Sequence, residues 1–199
     1  MKAVMPQVPP DIQQYRLRTG ADRWDEMWEG VLHMPPMPNR AHQELEWALE
    51  TWLRAHWARP LGNKVYHQIN LTRPGSWPND YRIPDLVLLT PDRFEIDRNE
   101  YFEGPPLVVV EIRSPGDETD DKLPFYAELG VPEVWIVDRD SKVPELHVLE
   151  GATYRQQAAD EDGWLQSAAT GIRMRASDGQ KLVMEIAGQE ETRQPLPED

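Results

Sequence analysis

The chain has no cysteine among its 199 residues, which excludes disulfide bridges and thiolate metal ligands. It has no apolar run of about 18 residues, the length that a membrane-spanning helix needs, and no signal-like apolar segment, so we expect a soluble, cytoplasmic protein. Positive charge is also scarce, because 21 Lys and Arg residues face 35 Asp and Glu residues, for a formal net charge of −14. Since phosphate binding depends on Lys and Arg, tight non-specific binding to DNA is not expected.

The five histidines do not form a zinc-binding spacing such as H-x-x-x-H, which disfavours a zinc site. The length suits one domain of mixed α/β type, and no internal repeat or linker divides the chain. We expect this domain to span residues 16–187. The polar, proline-containing ends, residues 1–15 and 188–199, are typical of tails.

Local patterns predict the main elements of the domain. The turn signal Glu29-Gly30 indicates an edge hairpin over residues 23–34, and Asn39 can cap a helix over residues 40–58 with one apolar face. A second, shorter helix is expected near residues 121–129, where Gly130 would end it. Strands are predicted near residues 64–71, 83–89, 107–113, 133–138 and 145–149, and less certain short strands follow.

Two carboxylates stand where neighbouring strands can bring them together. Alternation along residues 107–113 places Glu111 and Arg113 on one face of a strand, and Asp85 begins the preceding strand. If these two strands pair as a long-loop hairpin, Asp85 approaches Glu111. Two such carboxylates can hold a hard divalent metal ion, and a nearby cation can balance charge on a phosphate during its hydrolysis.

Lys122 begins an apolar stripe that continues through Phe125, Tyr126 and Leu129. A lysine in line with core residues either extends past the end of the helix into solvent or reaches into the carboxylate site. Periodicity alone does not decide between the two.

Several separate motifs follow one another over residues 24–149. They are Trp24-Asp25-Glu26-Met27-Trp28-Glu29-Gly30-Val31-Leu32, Met34-Pro35-Pro36, His42, Pro84-Asp85, Val109-Val110-Glu111-Ile112-Arg113-Ser114-Pro115, Asp121-Lys122, Tyr126 and Gly130-Val131-Pro132-Glu133-Val134-Trp135-Ile136-Val137-Asp138. Together and in this order, these motifs resemble the Uma2 family of endonucleases. The resemblance implies a restriction-endonuclease-like, PD-(D/E)xK fold, in which helices flank a mixed β-sheet. An N-terminal β-hairpin and short C-terminal strands would complete it.

The resemblance also implies a Mg²⁺ site, with Mn²⁺ as a possible substitute. Asp85 and Glu111 would be metal ligands, and the main-chain carbonyl of Ile112 would supply a third oxygen. Lys122 would take the place of the superfamily's lysine, since Arg113 occupies the usual lysine position. Arginine stays protonated and cannot act as a general base, so Arg113 would be a helper or a structural partner of the acids.

Other polar and aromatic residues leave alternatives open. His42, at a family position early in the first long helix, either faces the cleft or makes a local hydrogen bond. Glu44 and Glu46 lie on the same helix, which in the fold implied by the resemblance can lend an acidic residue to the metal, but we expect both to be exposed to solvent. Trp77, in a polar loop, is a candidate contact for a substrate or partner.

The expected function is Mg²⁺-dependent hydrolysis of DNA phosphodiester bonds. The alternative is a non-cleaving module that keeps the fold to bind a protein or a nucleic acid, a reading that the acidic charge supports. Two-carboxylate glycoside hydrolysis is a third reading, but Arg113 and Lys122 suit a phosphate better. A homodimer is expected, because one small acidic domain offers little surface for holding a duplex.

Overall fold

The computed structural model describes residues 3–5, 9–20 and 22–198, which form a mixed α+β structure with three sheets. The helices are α1 (Pro10–Thr19), α2 (Arg40–Leu53), α3 (Arg59–Leu61) and α4 (Leu123–Leu129). A π-helical segment, Arg54–Ala58, joins α2 to α3, and 3₁₀ turns occupy Pro91–Ile96 and Asp120–Lys122. The strands are β1 (Ala3–Met5), β2 (Glu26–Trp28), β3 (Val31–Met34), β4 (Lys64–His67), β5 (Asn70–Thr72), β6 (Tyr81–Arg82), β7 (Leu86–Leu89), β8 (Tyr101–Glu103), β9 (Val108–Arg113), β10 (Glu133–Asp138), β11 (Pro144–Glu150), β12 (Thr153–Gln156), β13 (Leu165–Gln166), β14 (Ile172–Ala176), β15 (Leu182–Ile186) and β16 (Gln189–Leu196).

The central sheet has the strand order β12-β11-β10-β9-β7-β4 and is parallel only between β9 and β10. The antiparallel pair β7 and β9 aligns Leu86 with Val110, so the start of β7 lies beside the end of β9. This is the long-loop hairpin that the sequence predicts. It places the residue before β7, which is Asp85, next to the last residues of β9.

The two faces of β9 pack against different parts of the molecule. Val108, Val110 and Ile112 share a core with α2 and with strands β14 to β16. Val109 faces the other core, which includes the aromatic rings of α4. The predicted alternation of faces is therefore confirmed along β9, whereas Leu107, which precedes the strand, packs against the core of Val108, Val110 and Ile112. Because Glu111 follows this alternation, it lies on the α4 side, where a residue at the start of that helix can reach it.

The N-terminal sheet, with the order β1-β3-β2-β6-β5-β8, contains the predicted hairpin. Strands β2 and β3 pair around the turn at Glu29 and Gly30, as expected. The predicted N-terminal tail is wrong for the part that is described, because β1 pairs with β3 and α1 begins at Pro10. An unpaired strand edge binds another strand through backbone groups, and side-chain composition does not reveal such pairing. Residues 1–2 and 6–8 of that tail lie outside the described residues.

The predicted C-terminal tail is also wrong, because Gln189–Leu196 forms β16 at the edge of the third sheet, β13-β14-β15-β16. Strand β16 pairs with β15, and it buries Thr192 and Leu196. The Trp52 Nε1–H group on α2 donates a hydrogen bond to the Thr192 carbonyl at 3.0 Å. Only two residues of this polar strand face inward, so its sequence gives a weak strand signal. The sheet nevertheless supports the helix that carries His42.

Truncating the inward-facing residue of β16 tests its packing. Leu196 is 1% exposed, and we expect Leu196→Ala to lower the free energy of unfolding by roughly 2–4 kcal/mol because it leaves a cavity. Urea denaturation measures this loss. Leu61→Ala is the control, since that side chain is 61% exposed and should change stability little. Equal, small effects of both substitutions would mean that β16 behaves as a tail.

In the described part of the chain, we find no helix with the length and apolarity required to span a membrane.

Candidate active site

Residues from several segments between Trp24 and Arg139 line one cavity of about 300 Å³. The cavity lies where the end of β9 meets the start of β7, beside the N-terminus of α2. Its polar lining includes Glu26, His42, Asp85, Glu111 and Lys122. Of the residues that the sequence marks as candidates, Asp85, Glu111, Ile112, Lys122 and His42 therefore meet at one place.

Asp85 makes contacts with both strand β9 and helix α2. Its Oδ1 lies 2.8 Å from His42 Nε2, and its Oδ2 accepts a hydrogen bond from the Ile112 N–H at 2.6 Å. The Arg113 carbonyl accepts a hydrogen bond from the Arg139 N–H on the other side of β9. Since backbone groups alternate sides along a strand, the Ile112 carbonyl faces the same side as its N–H, towards Asp85.

His42 faces the cavity and does not make only a local hydrogen bond. The Asn39 side chain caps α2 by accepting a hydrogen bond from the His42 N–H at 3.0 Å, and this cap fixes the first turn of the helix. Burial lowers the pKa of His42, but the hydrogen bond and the charge of Asp85 outweigh this effect and raise the pKa above its ordinary value. His42 is therefore positioned both by the helix start and by Asp85.

The expected exposure of Glu46 is wrong, whereas Glu44 is exposed as expected. Glu46 lies one helical turn after His42 and faces the same way. One polar atom from each of His42, Glu46 and Asp85 lies within 4.8 Å of the others. This set shares Asp85 with the predicted set of Asp85, Glu111 and Ile112.

The Glu46 carboxylate is only partly satisfied by its neighbours. Its Oε2 accepts a hydrogen bond from Gln68 Nε2 at 3.1 Å, but its buried Oε1 has no hydrogen-bond partner and lies 3.6 Å from His67 Nδ1. Burial, and after it the charge of Asp85, raise the pKa of Glu46 to about 7. A buried carboxylate oxygen without a donor, next to a second carboxylate, fits a divalent cation.

Glu111 is buried at the end of β9 and is held by two residues that follow it. Lys122 Nζ lies 3.1 Å from Glu111 Oε1, and the Tyr126 hydroxyl donates a hydrogen bond to the same oxygen. Lys122 thus reaches into the carboxylate site, which settles where the side chain points. Burial raises the pKa of Glu111, and the positive charge of Lys122 opposes that rise.

Glu26, on β2, is a site residue that sequence reasoning missed. Its carboxylate lies 2.8 Å from Lys122 Nζ, accepts the Ile83 N–H at 2.8 Å and accepts the Trp28 Nε1–H at 2.7 Å. Burial lowers the pKa of Lys122, but the charges of Glu111 and Glu26 outweigh burial and raise the pKa above its ordinary value. Lys122 is therefore protonated at neutral pH.

Arg113 and Trp77 do not join this site. The Arg113 guanidinium donates hydrogen bonds to Glu145 and Asp120, and the residue is not part of the cavity lining. It is thus a structural partner of acids other than the predicted metal ligands. Trp77 stacks on Tyr101, with ring centroids 4.7 Å apart, and also lies outside the lining.

Comparisons with known proteins agree with the fold. The model of the Uma2 family, described as "Putative restriction endonuclease", matches residues 11–178. Among solved structures, the chain is similar to a protein from Anabaena variabilis ATCC 29413 described as a putative nuclease belonging to DUF820, with 16% sequence identity and a TM-score of 0.59. The match covers 72% of this chain and 80% of that chain, and it shows that the fold is nuclease-like. No curated protein matches the chain.

Proposed function

Because the chain belongs to the Uma2 family, we propose that it is a metal-dependent nuclease that hydrolyses phosphodiester bonds in DNA. The observation that carries this proposal is the meeting of Asp85, Glu111 and Lys122 in one cavity, where the partly unsatisfied Glu46 lies next to Asp85. Mg²⁺ is the proposed ion, with Mn²⁺ as a substitute.

The charges in the cavity support a bound cation. The cavity lining holds five carboxyl groups, those of Glu26, Asp85, Glu111, Asp117 and Glu118, and Glu46 adjoins Asp85. Two cations, Lys122 and Arg139, also line the cavity, and His42 can add one further positive charge when it is protonated. A divalent ion would offset part of the remaining negative charge, which would otherwise repel a phosphate.

We assign separate tasks to the residues of the site. Asp85 would hold the ion, together with Glu46 and His42 on one side and with Glu111 and the Ile112 carbonyl on the other. When bound, a divalent ion polarises the phosphate and lowers the pKa of a water molecule. Lys122 keeps Glu111 and Glu26 in place and stabilises negative charge in the cavity.

The test of this proposal is cleavage of labelled DNA by the wild-type protein. We expect strand cleavage with Mg²⁺ or Mn²⁺ and none with an excess of chelator, because the carboxylates alone do not activate water at a phosphate diester. Duplex DNA, single-stranded DNA and RNA of the same sequence should be compared. Cleavage that persists in chelator, or no cleavage of any of these substrates, contradicts the proposal.

Calorimetry separates the nuclease from a non-cleaving module of the same fold, the reading that the net charge of −14 favours. We expect Mn²⁺ to bind, and we expect Glu46→Gln to weaken that binding by at least about tenfold. Glu44→Gln is a matched control, because Glu44 lies on the same helix but is exposed. If the wild-type protein binds neither Mn²⁺ nor Mg²⁺, the non-cleaving module becomes the better explanation. A homodimer and a cytoplasmic location stay predictions from the sequence.

A further inference from the structure

Part of the cavity wall is apolar and has no task in metal binding. Trp24, Pro35, Pro36 and Met37 line the same cavity as the carboxylates. Met37 is 67% exposed, and Trp24 is half-buried. An apolar wall beside a strongly acidic centre is suited to a ligand that has both an apolar and a charged part.

The aromatic ring in this wall is held in a fixed relation to the metal-binding carboxylates. Trp24 Nε1–H donates a hydrogen bond to Gln68 Oε1 at 3.1 Å, and Gln68 Nε2 donates to Glu46 Oε2 at 3.1 Å. Gln68 adopts a φ of 49°, which is uncommon for a residue other than glycine. The neighbouring prolines restrict their own backbone. The two hydrogen bonds therefore connect the Trp24 ring to Glu46 through Gln68.

The cations that line the cavity, among the described residues, are His42 when it is protonated, Lys122 and Arg139. All three already contact carboxylates: His42 faces Asp85, Lys122 lies between Glu26 and Glu111, and Arg139 Nη2 lies 2.8 Å from Asp140. Gripping a duplex requires Lys and Arg residues that neutralise a row of phosphates. This cavity lacks such a row, so binding must draw on apolar contact with a base. Bases stack well on aromatic side chains.

We propose that the apolar wall is a subsite for one unpaired nucleobase next to the cleaved phosphate, so that the substrate is single-stranded DNA or an unpaired DNA end. This inference rests on the proposed nuclease function. A volume of about 300 Å³ matches a ligand of nucleotide size and is too small for a duplex. A base inside a duplex is stacked on both faces, and it must leave the stack before it can contact Trp24 and Met37.

The first test compares cleavage of a single-stranded oligonucleotide with cleavage of the same sequence in a closed, fully paired duplex. We expect at least about tenfold faster cleavage of the single strand, because a base that is paired in the duplex cannot stack on Trp24. Abasic substitution beside the cleaved bond should reduce cleavage of the single strand to a similar extent. Equal cleavage of the paired and unpaired substrates would overturn the proposal.

Variants of the wall locate the subsite. We expect Trp24→Leu and Met37→Ala to raise KM for the single strand, by about tenfold for Trp24→Leu, with a much smaller change in kcat. Trp47→Leu is the matched control, because Trp47 is 69% exposed on α2 and lies outside the cavity. Since Met37 is exposed, Met37→Ala cannot act through loss of the core. If neither wall variant changes KM, the subsite does not exist.

A binding measurement that does not depend on cleavage tests the proposed subsite separately from the proposed nuclease activity. Fluorescence anisotropy of the labelled single strand and of the labelled duplex is measured with the wild-type protein and with Ca²⁺ in place of Mg²⁺, because without a divalent ion the acidic cavity would repel the phosphates of both. Preferential binding of the single strand that Trp24→Leu abolishes supports the subsite, even if no substrate is cleaved. If the protein cleaves DNA but does not bind the single strand more tightly than the duplex, the nuclease proposal stands and the subsite proposal is wrong.

Discussion

Replacing Asp85 with alanine should reduce metal-dependent DNA cleavage by at least about 1,000-fold, which corresponds to about 4 kcal/mol of transition-state stabilisation. Asp85 contacts both His42 and the Ile112 backbone, so its loss affects both proposed groups of metal ligands at once. The measurement is the initial rate of cleavage of a labelled DNA with Mg²⁺ or Mn²⁺. A rate equal to that of the wild-type protein would mean that the wild-type signal is background.

Two further variants separate the charge of Asp85 from its structural contacts. Asp85→Asn keeps an oxygen that can accept the Ile112 N–H, but it removes the negative charge, and we expect nearly the same loss of cleavage. Asp92→Ala is the control, because Asp92 is an exposed carboxylate outside the cavity. Circular dichroism and thermal melting of each variant establish that the fold is retained. If Asp85→Asn cleaves normally, Asp85 has a structural role alone.

Replacing Lys122 with methionine should lower the free energy of unfolding by roughly 3–5 kcal/mol, because it leaves two buried carboxylates without their cation. Glu26 and Glu111 lie 2.8 and 3.1 Å from Lys122 Nζ, and both are buried. Urea denaturation measures the loss. Cleavage should fall as well, since Glu111 loses the group that holds it in place.

A matched surface pair and a compensated variant show whether this loss comes from buried charge. Arg155→Met breaks an exposed ion pair with Glu150 and should change stability by less than about 1 kcal/mol. Adding Glu26→Gln and Glu111→Gln to Lys122→Met removes the unpaired charges, and we expect it to restore part of the stability. Cleavage should stay low in that triple variant. No difference in stability between Lys122→Met and the wild-type protein would contradict a buried charge network.

Much of the fold and part of the site could be predicted from local pattern. The apolar run of β9 gave its two faces, and pairing with β7 placed Asp85 beside Glu111. Both relations follow from the two-residue period of a strand and from the order of two consecutive strands. Both of these can be read from the sequence. The apolar stripe that begins at Lys122 likewise leaves two directions for its side chain, towards solvent or into the carboxylate site.

The burial of Glu46 differs from the expected exposure, although the sequence carries a signal for it. Glu46 lies on one row of α2 with His42, Leu49 and Leu53, at spacings of four, three and four residues. This buried row outweighs the usual exposure of glutamate. Glu26 is harder to recognise, because its contacts with Lys122 and the Ile83 N–H join segments far apart in the chain. Strand β16 gives a weak signal in the sequence, because only Thr192 and Leu196 of this polar strand are buried.

The bond between Trp52 and Thr192 has a consequence for the order in which the molecule is assembled during translation. The two residues are 140 positions apart, so the ribosome has made every proposed metal ligand long before it makes the strand that packs against α2. A nascent chain that ends before β14 carries His42, Asp85 and Glu111 but lacks the sheet that supports their helix. We therefore expect the site to acquire its geometry late in synthesis, when the newly made strand closes over the core.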